Sequence, residues 1–127
     1  MFLTAIHELE KMIGKIYCIE DHLYSDEFKV AGTVDMIAEW NGKLSVIDFK
    51  TSNSAKREEW IENYFIQGTA YAKMFTERTG IRCDQLVIFA VPDDNVPQTF
   101  IKRVDDYTEV LKEAIQNFSL YKQKRAA

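Results

Sequence analysis

Cysteine, histidine and proline are scarce in this chain of 127 residues, two of each, and glycine occurs only five times. Two cysteines, Cys18 and Cys83, are too few for a disulfide framework and too far apart for a metal-binding cysteine pair. Free thiols serving as small core residues, in a reduced intracellular compartment, are the simple reading. His7 and His22 stand alone and form no ligand motif. No run of about 18 apolar residues exists to span a membrane. The N-terminus lacks the basic start and apolar middle of a signal peptide. Excess positive charge is also missing, and the net charge is -4. That argues against generic coating of nucleic acid, which favours a basic surface. It leaves room for a local grip through a metal ion and a few cations. The basic clusters Lys56-Arg57 and Lys122 to Arg125 read as solvated surface.

What is there suits one globular domain over residues 1–127, with 46% hydrophobic and 28% charged residues. Phe2, Ile6, Leu9, Met12, Ile13 and Ile16 recur at helical spacing, which predicts a helix over 2–16. Residues 16–24 fit a short strand nearly as well. Asn41-Gly42 is a strong hairpin signal, and it predicts paired strands over 28–40 and 43–51. Alternation puts Thr33, Asp35, Ile37, Leu44, Val46, Asp48 and Lys50 on one face, and Val34, Met36, Ala38, Trp40, Ile47 and Phe49 on the other. Both faces are apolar enough to be covered. A helix follows over about 55–79, ended by Gly80 in a left-handed cap. Residues 85–91 read as a buried strand, 92–97 as a turn-rich loop and 98–104 as a more exposed strand. Asp105 or Asp106 is placed to cap a last helix, with Glu109 completing a capping box and Tyr107, Leu111, Ala114, Ile115 and Phe118 as its apolar stripe. The order is αβββαββα, a mixed central sheet flanked by helices.

The chemistry concentrates on the hairpin. A two-residue loop sets Trp40 opposite Lys43 and, counting outward, Asp35 opposite Asp48, with Cβ atoms roughly 5 Å apart. Like charges so placed are destabilising unless something positive stands between them. Lys50 shares the face of Asp48 but neutralises one acid only. A hard divalent cation, Mg2+ or Mn2+, binds carboxylate oxygens and keeps waters that a phosphate can replace. The competing reading is a surface ion network of Asp35, Asp48 and Lys50 facing water. Thr51 and Ser52 either bind phosphate or open a loop. Gln67 and Tyr71 share a helix face with Tyr64 one turn earlier; the stripe suits core packing, although a buried Gln needs partners. Glu20 alone suggests only exposure.

Gly32-Thr33-Val34-Asp35, Leu44-Ser45-Val46-Ile47-Asp48-Phe49-Lys50-Thr51-Ser52 and Gln67-Gly68-Thr69-Ala70-Tyr71-Ala72, in that order, closely resemble the PD-(D/E)XK nuclease superfamily, and most of all its RecB-type exonuclease branch. That branch includes mitochondrial genome maintenance and phage recombination exonucleases. The resemblance covers roughly residues 30–75. It implies a restriction-endonuclease-like core and a Mg2+- or Mn2+-dependent deoxyribonuclease of DNA recombination, repair or replication. Asp35, Asp48 and Lys50 would be catalytic. Asp35, Asp48 and the main-chain carbonyl of Phe49 would hold the metal, with Glu20 as a further candidate. Thr51, Ser52, Gln67 and Tyr71 would bind DNA, as single strands or duplex ends. The branch carries an upstream helix with a metal-binding His, for which His7 and Glu20 are the nearest candidates here. A domain lacking that N-terminal helical part, a homo-oligomer or larger nuclease complex, and a location in the cytoplasm of a bacterial or phage-infected cell are the matching expectations. The alternative is a non-catalytic nuclease-fold subunit that binds nucleic acid or serves assembly.

Overall fold

The Asn41-Gly42 turn forms as its residues demand. Both central residues take left-handed backbone angles, φ 51° and 82°, and Trp40 pairs with Lys43 across the turn. This hairpin belongs to a computed structural model that describes residues 2–52, 58–92 and 97–126. Its elements are α1 (Phe2–Met12), β1 (Ile13–Ser25), β2 (Val30–Trp40), β3 (Lys43–Ser52), α2 (Glu58–Thr79), β4 (Gln85–Pro92), β5 (Gln98–Arg103) and α3 (Val104–Ala126). The sheet order is β1-β2-β3-β4-β5. Only β3 and β4 run parallel, joined by the α2 crossover, and the other neighbours are antiparallel. The architecture is therefore the expected mixed sheet flanked by helices, in the order αβββαββα.

Several boundaries differ from the sequence expectation. The first helix stops at Met12 rather than running to residue 16, because pairing with β2 takes over from helical periodicity. Ile13 pairs with Trp40 and Ile16 with Ala38. The Asn41 N–H donates to the Met12 carbonyl at 2.8 Å, satisfying a helix-end acceptor from the hairpin turn. The last helix begins at Val104, whose N–H donates to the Asp84 carbonyl at 2.9 Å. Asp105 and Asp106 thus lie inside its first turn instead of capping it, and Asp105 faces Arg82 and Arg103 at 3.7 Å. Of the expected stripe on α3, Tyr107 and Leu111 are buried, whereas Ala114 and Phe118 are exposed. Gly80 caps α2 as expected, with φ 75° and its N–H on the Thr76 carbonyl. Lys56-Arg57, the start of the expected second helix and the 93–96 loop lie outside the described residues, as do the side chains of Lys122 to Arg125.

The face assignment needs one correction with consequences for the site. Val34 was expected opposite Ile37, yet both lie in the same core cluster beneath α2, together with Cys18, Leu23, Val46, Leu86 and Ile88. Strict alternation cannot put residues 34 and 37 on one face. The strand turns over between them, and β1 turns over at the same level, since Cys18 and Leu23 are likewise on one face. The pairing runs Ile19 to Met36 and resumes Asp21 to Val34. The skipped rung is Glu20 with Asp35, and Glu20 takes a left-handed φ of 50°.

The opposite face buries Ala38, Trp40, Ile47, Val87 and Phe89, against which Leu9 and Met12 of α1 pack. Helix α3 rests on α2 through Phe65 and Tyr107, with ring centroids 5.6 Å apart, and the Tyr107 hydroxyl donates to Glu62 at 2.8 Å. The far end of α2 is tied to the β1–β2 turn by Glu77, which accepts from the Asp26 N–H at 2.8 Å and the Ser25 hydroxyl at 2.9 Å. The Asp26 N–H leads the interactions that hold the Glu77 carboxyl down at about 2.

Helix α2 lies close to the sheet at Gly68, where an added Cβ would stand 3.2 Å from Leu86 Cδ2 and 3.8 Å from Val46 Cγ1. A β-branched side chain there overfills a closed interface. Gly68→Val is expected to lower stability by about 1–3 kcal/mol, measured by urea denaturation; an unchanged midpoint would show that α2 is not held this tightly.

Candidate active site

The overturned rung is what brings the acids together. The β2–β3 ladder ends at Met36 with Ile47, one rung before the direct Asp35–Asp48 pairing that the sequence predicts. Beyond that point the Asp35 carboxylate replaces a main-chain acceptor, taking the Phe49 N–H on Oδ2 at 3.1 Å. The Asp35 and Asp48 carboxyls lie close enough to shift each other's protonation in opposite directions. The acids thus meet through a side chain that has stepped into the ladder, where strict pairing was expected.

Two carboxyls in such contact must share a proton or a cation. Burial first, and the neighbouring Asp35 second, push Asp48 up to about 6, with Lys50 pulling the other way. Asp35 moves down, chiefly because it accepts the hydrogen bond from Asp48, helped by the Phe49 N–H and Lys50 against its own burial. Lys50 Nζ lies 3.2 Å from Asp48 Oδ2, and both side chains are about three-quarters buried, at 25% and 23% exposure. Its ammonium also sits over the face of Tyr64, 3.9 Å from the ring centroid.

These groups line a cleft of about 160 Å³ between β2, β3 and α2, together with Thr33, Gln67, Gly68 and Tyr71. Gln67 is exposed rather than buried, and its Nε2 donates to the Tyr71 hydroxyl at 3.2 Å. Burial and the Asp48 charge raise the Tyr71 phenol above its ordinary value, so it stays protonated and able to donate. Gly32 explains its own place in the sequence: a Cβ there would come 2.9 Å from both the Tyr71 ring and its hydroxyl. The glycine of one motif makes room for the tyrosine of another.

Asp35, Asp48, Lys50, Gln67 and Tyr71 are thus gathered into one cleft. Thr51 and Ser52 end β3, and their side chains lie outside the described residues. Glu20 faces Asp35 across the skipped rung, but it is exposed and does not line the cleft. His7 is exposed beside Glu10, and His22 bonds Thr33 at 2.8 Å. Among the described residues, no group of three or more His, Cys, Asp or Glu side chains is placed to hold a metal ion. The two carboxylates still fit a hard cation of the Mg2+ type, which commonly binds through one or two protein carboxylates and keeps waters for the rest. Cys18 and Cys83 are free and buried; burial pushes Cys83 up to about 12, so neither serves as a nucleophile. Tyr64 was read from the sequence only as a packing residue, and its contact with Lys50 left no local signal.

No protein-family model and no curated protein matches the chain. Among solved structures it is similar to the crystal structure of a protein from Eubacterium rectale provisionally named an exonuclease. The TM-score is 0.57 at 16% sequence identity, over 84% of this chain. The chain spans 43% of that protein's length. The likeness shows a shared fold. No helix among the described residues is long and apolar enough to cross a membrane.

The acid pair makes stability pH-dependent in a definite direction. Between the ordinary Asp value of 3.8 and about 6, the folded protein holds the Asp48 proton that the unfolded chain releases. More protons bound when folded means that stability falls as pH rises through this window. Asp35, shifted down, contributes in the opposite sense only below 3.8. In metal-free buffer, the melting temperature of the wild type relative to that of Asp48→Asn is expected to drop as pH rises across this window. Parallel profiles for the two proteins would contradict the shared-proton pair.

Proposed function

We propose that this chain is a metal-dependent deoxyribonuclease of the PD-(D/E)XK superfamily, RecB-type branch, acting as an exonuclease in DNA recombination, repair or replication. The observation that carries the reading is the contact of Asp35 with Asp48 beside Lys50, in a cleft whose helical wall bears Gln67 and Tyr71. The shared fold with a protein named as an exonuclease supports it.

Asp35, Asp48 and the Phe49 carbonyl would hold Mg2+ or Mn2+. In a pleated strand a residue's N–H and C=O face the same neighbour, so the Phe49 carbonyl faces the side on which pairing with β2 has stopped. When bound, such an ion supplies positive charge for the scissile phosphate and lowers the pKa of water. Lys50 is the one basic side chain among the described residues of the cleft lining. It places positive charge where negative charge builds on the phosphate and orients the attacking water. Tyr71, kept protonated, and Gln67 offer hydrogen-bond donors to the DNA backbone, with Thr51 and Ser52 at the strand end as further contacts.

Among the described residues the cleft lining holds two acids, Asp35 and Asp48, which gives the non-catalytic subunit a specific observation in its favour. In a homo-oligomer or larger nuclease complex, another chain would complete the site. Incubation with end-labelled single- and double-stranded DNA in Mg2+, Mn2+ or chelator separates the two readings. Metal-dependent cleavage is expected, falling about 10²–10³-fold in Lys50→Ala and to background in Asp48→Asn, both folded by circular dichroism. DNA binding without cleavage under every condition would favour the non-catalytic reading, and native rates in either variant would refute the assignment.

A further inference from the structure

Tyr64 lies three residues before Gln67 on α2, outside the Gln67–Tyr71 pair, on the helix flank that turns toward the cleft. Ile61, Phe65, Ala72 and Phe75 of the same helix are buried in one core cluster, whereas Tyr64 packs at the margin of that core and lines the cleft. Its ring face meets the Lys50 ammonium at 3.9 Å. A lysine near the end of a strand carries a compact charge on a flexible four-carbon stem, which water would otherwise draw outward. Two contacts oppose that here, the Asp48 carboxylate at 3.2 Å and the Tyr64 π-face.

The two contacts respond differently to a loaded site. Asp48 would have to share its charge with the metal, and its hold on Lys50 would weaken. The ring quadrupole is unaffected by whatever Asp48 binds. We infer that Tyr64 is a positioning residue, holding the Lys50 ammonium in the cleft by a cation–π contact while Asp48 is otherwise engaged. The role rests on the nuclease reading. It belongs to the ring face and not to the hydroxyl, so phenylalanine should perform it and leucine should not. Because Tyr64 acts on the placement of Lys50, its loss should fall on kcat more than on KM.

The test compares wild type, Tyr64→Phe and Tyr64→Leu in two measurements. The first follows cleavage of end-labelled single-stranded DNA with Mn2+. Tyr64→Phe is expected to keep near-native kcat, and Tyr64→Leu to lose about tenfold in kcat with little change in KM. The second is the 1H–13C spectrum of lysine-labelled, metal-free protein, with Lys50 assigned through Lys50→Arg. The Lys50 ε-methylene protons are expected upfield from the ring current in wild type and Tyr64→Phe, and at ordinary positions in Tyr64→Leu. An active wild type whose Tyr64→Leu variant keeps native kcat, or an unshifted Lys50 signal in the wild type, overturns the positioning role alone. A wild type that cleaves nothing overturns the nuclease reading and the role of Tyr64 within it.

Discussion

Asp35, exposed at the cleft mouth, lies against Asp48, whose side chain is largely buried, and the surrounding structure is arranged around that contact. Two like charges at such range repel, and burial raises the cost. The protein answers in three ways at once. Asp48 keeps its proton to about 6, Asp35 takes the Phe49 N–H, and Lys50 lies against Asp48. None of these removes the second negative charge once both acids ionise. A divalent cation is the kind of counter-charge that would offset both carboxylates.

The scaffold converts this local conflict into a stable position. The acids sit where β1 and β2 both turn over, and the sheet is anchored on either side of that point by two separate apolar clusters. Above the site, Gly68 lets α2 approach the sheet, and Gly32 admits the Tyr71 ring. Glu77 fixes the far end of the helix to the β1–β2 turn. Both walls of the cleft are thereby set by packing, at its lining through Gly68 and Tyr71 and at the far end of the helix through Glu77.

Much of this was legible because local rules and global fold agree. Asn41-Gly42 set the hairpin register, Gly80 ended α2, and the apolar run at 85–91 marked a buried strand. Spacing put Asp35, Asp48 and Lys50 on one face of the hairpin, whereas Gln67 and Tyr71 joined them only through the family resemblance. The misses share a cause, which is tertiary pairing overriding a local pattern. Ile13 and Ile16 continued the helical period of α1 but were claimed by β2. Val104 began α3 ahead of its two aspartates because the Asp84 carbonyl accepted its N–H. The turnover at Glu20 and Asp35 broke strand alternation, and no composition signal announces such a break. The pairing of Tyr64 with Lys50 joins positions on different elements, which periodicity within either element cannot reveal.

The central claim is that Asp35 and Asp48 together bind one divalent ion. Crystals soaked in Mn2+ and measured for anomalous scattering test it most directly. The account predicts a single strong peak about 2 Å from a carboxylate oxygen of each residue, lost in Asp48→Asn. Density absent from between the two acids at saturating Mn2+, with both side chains ordered, would contradict it.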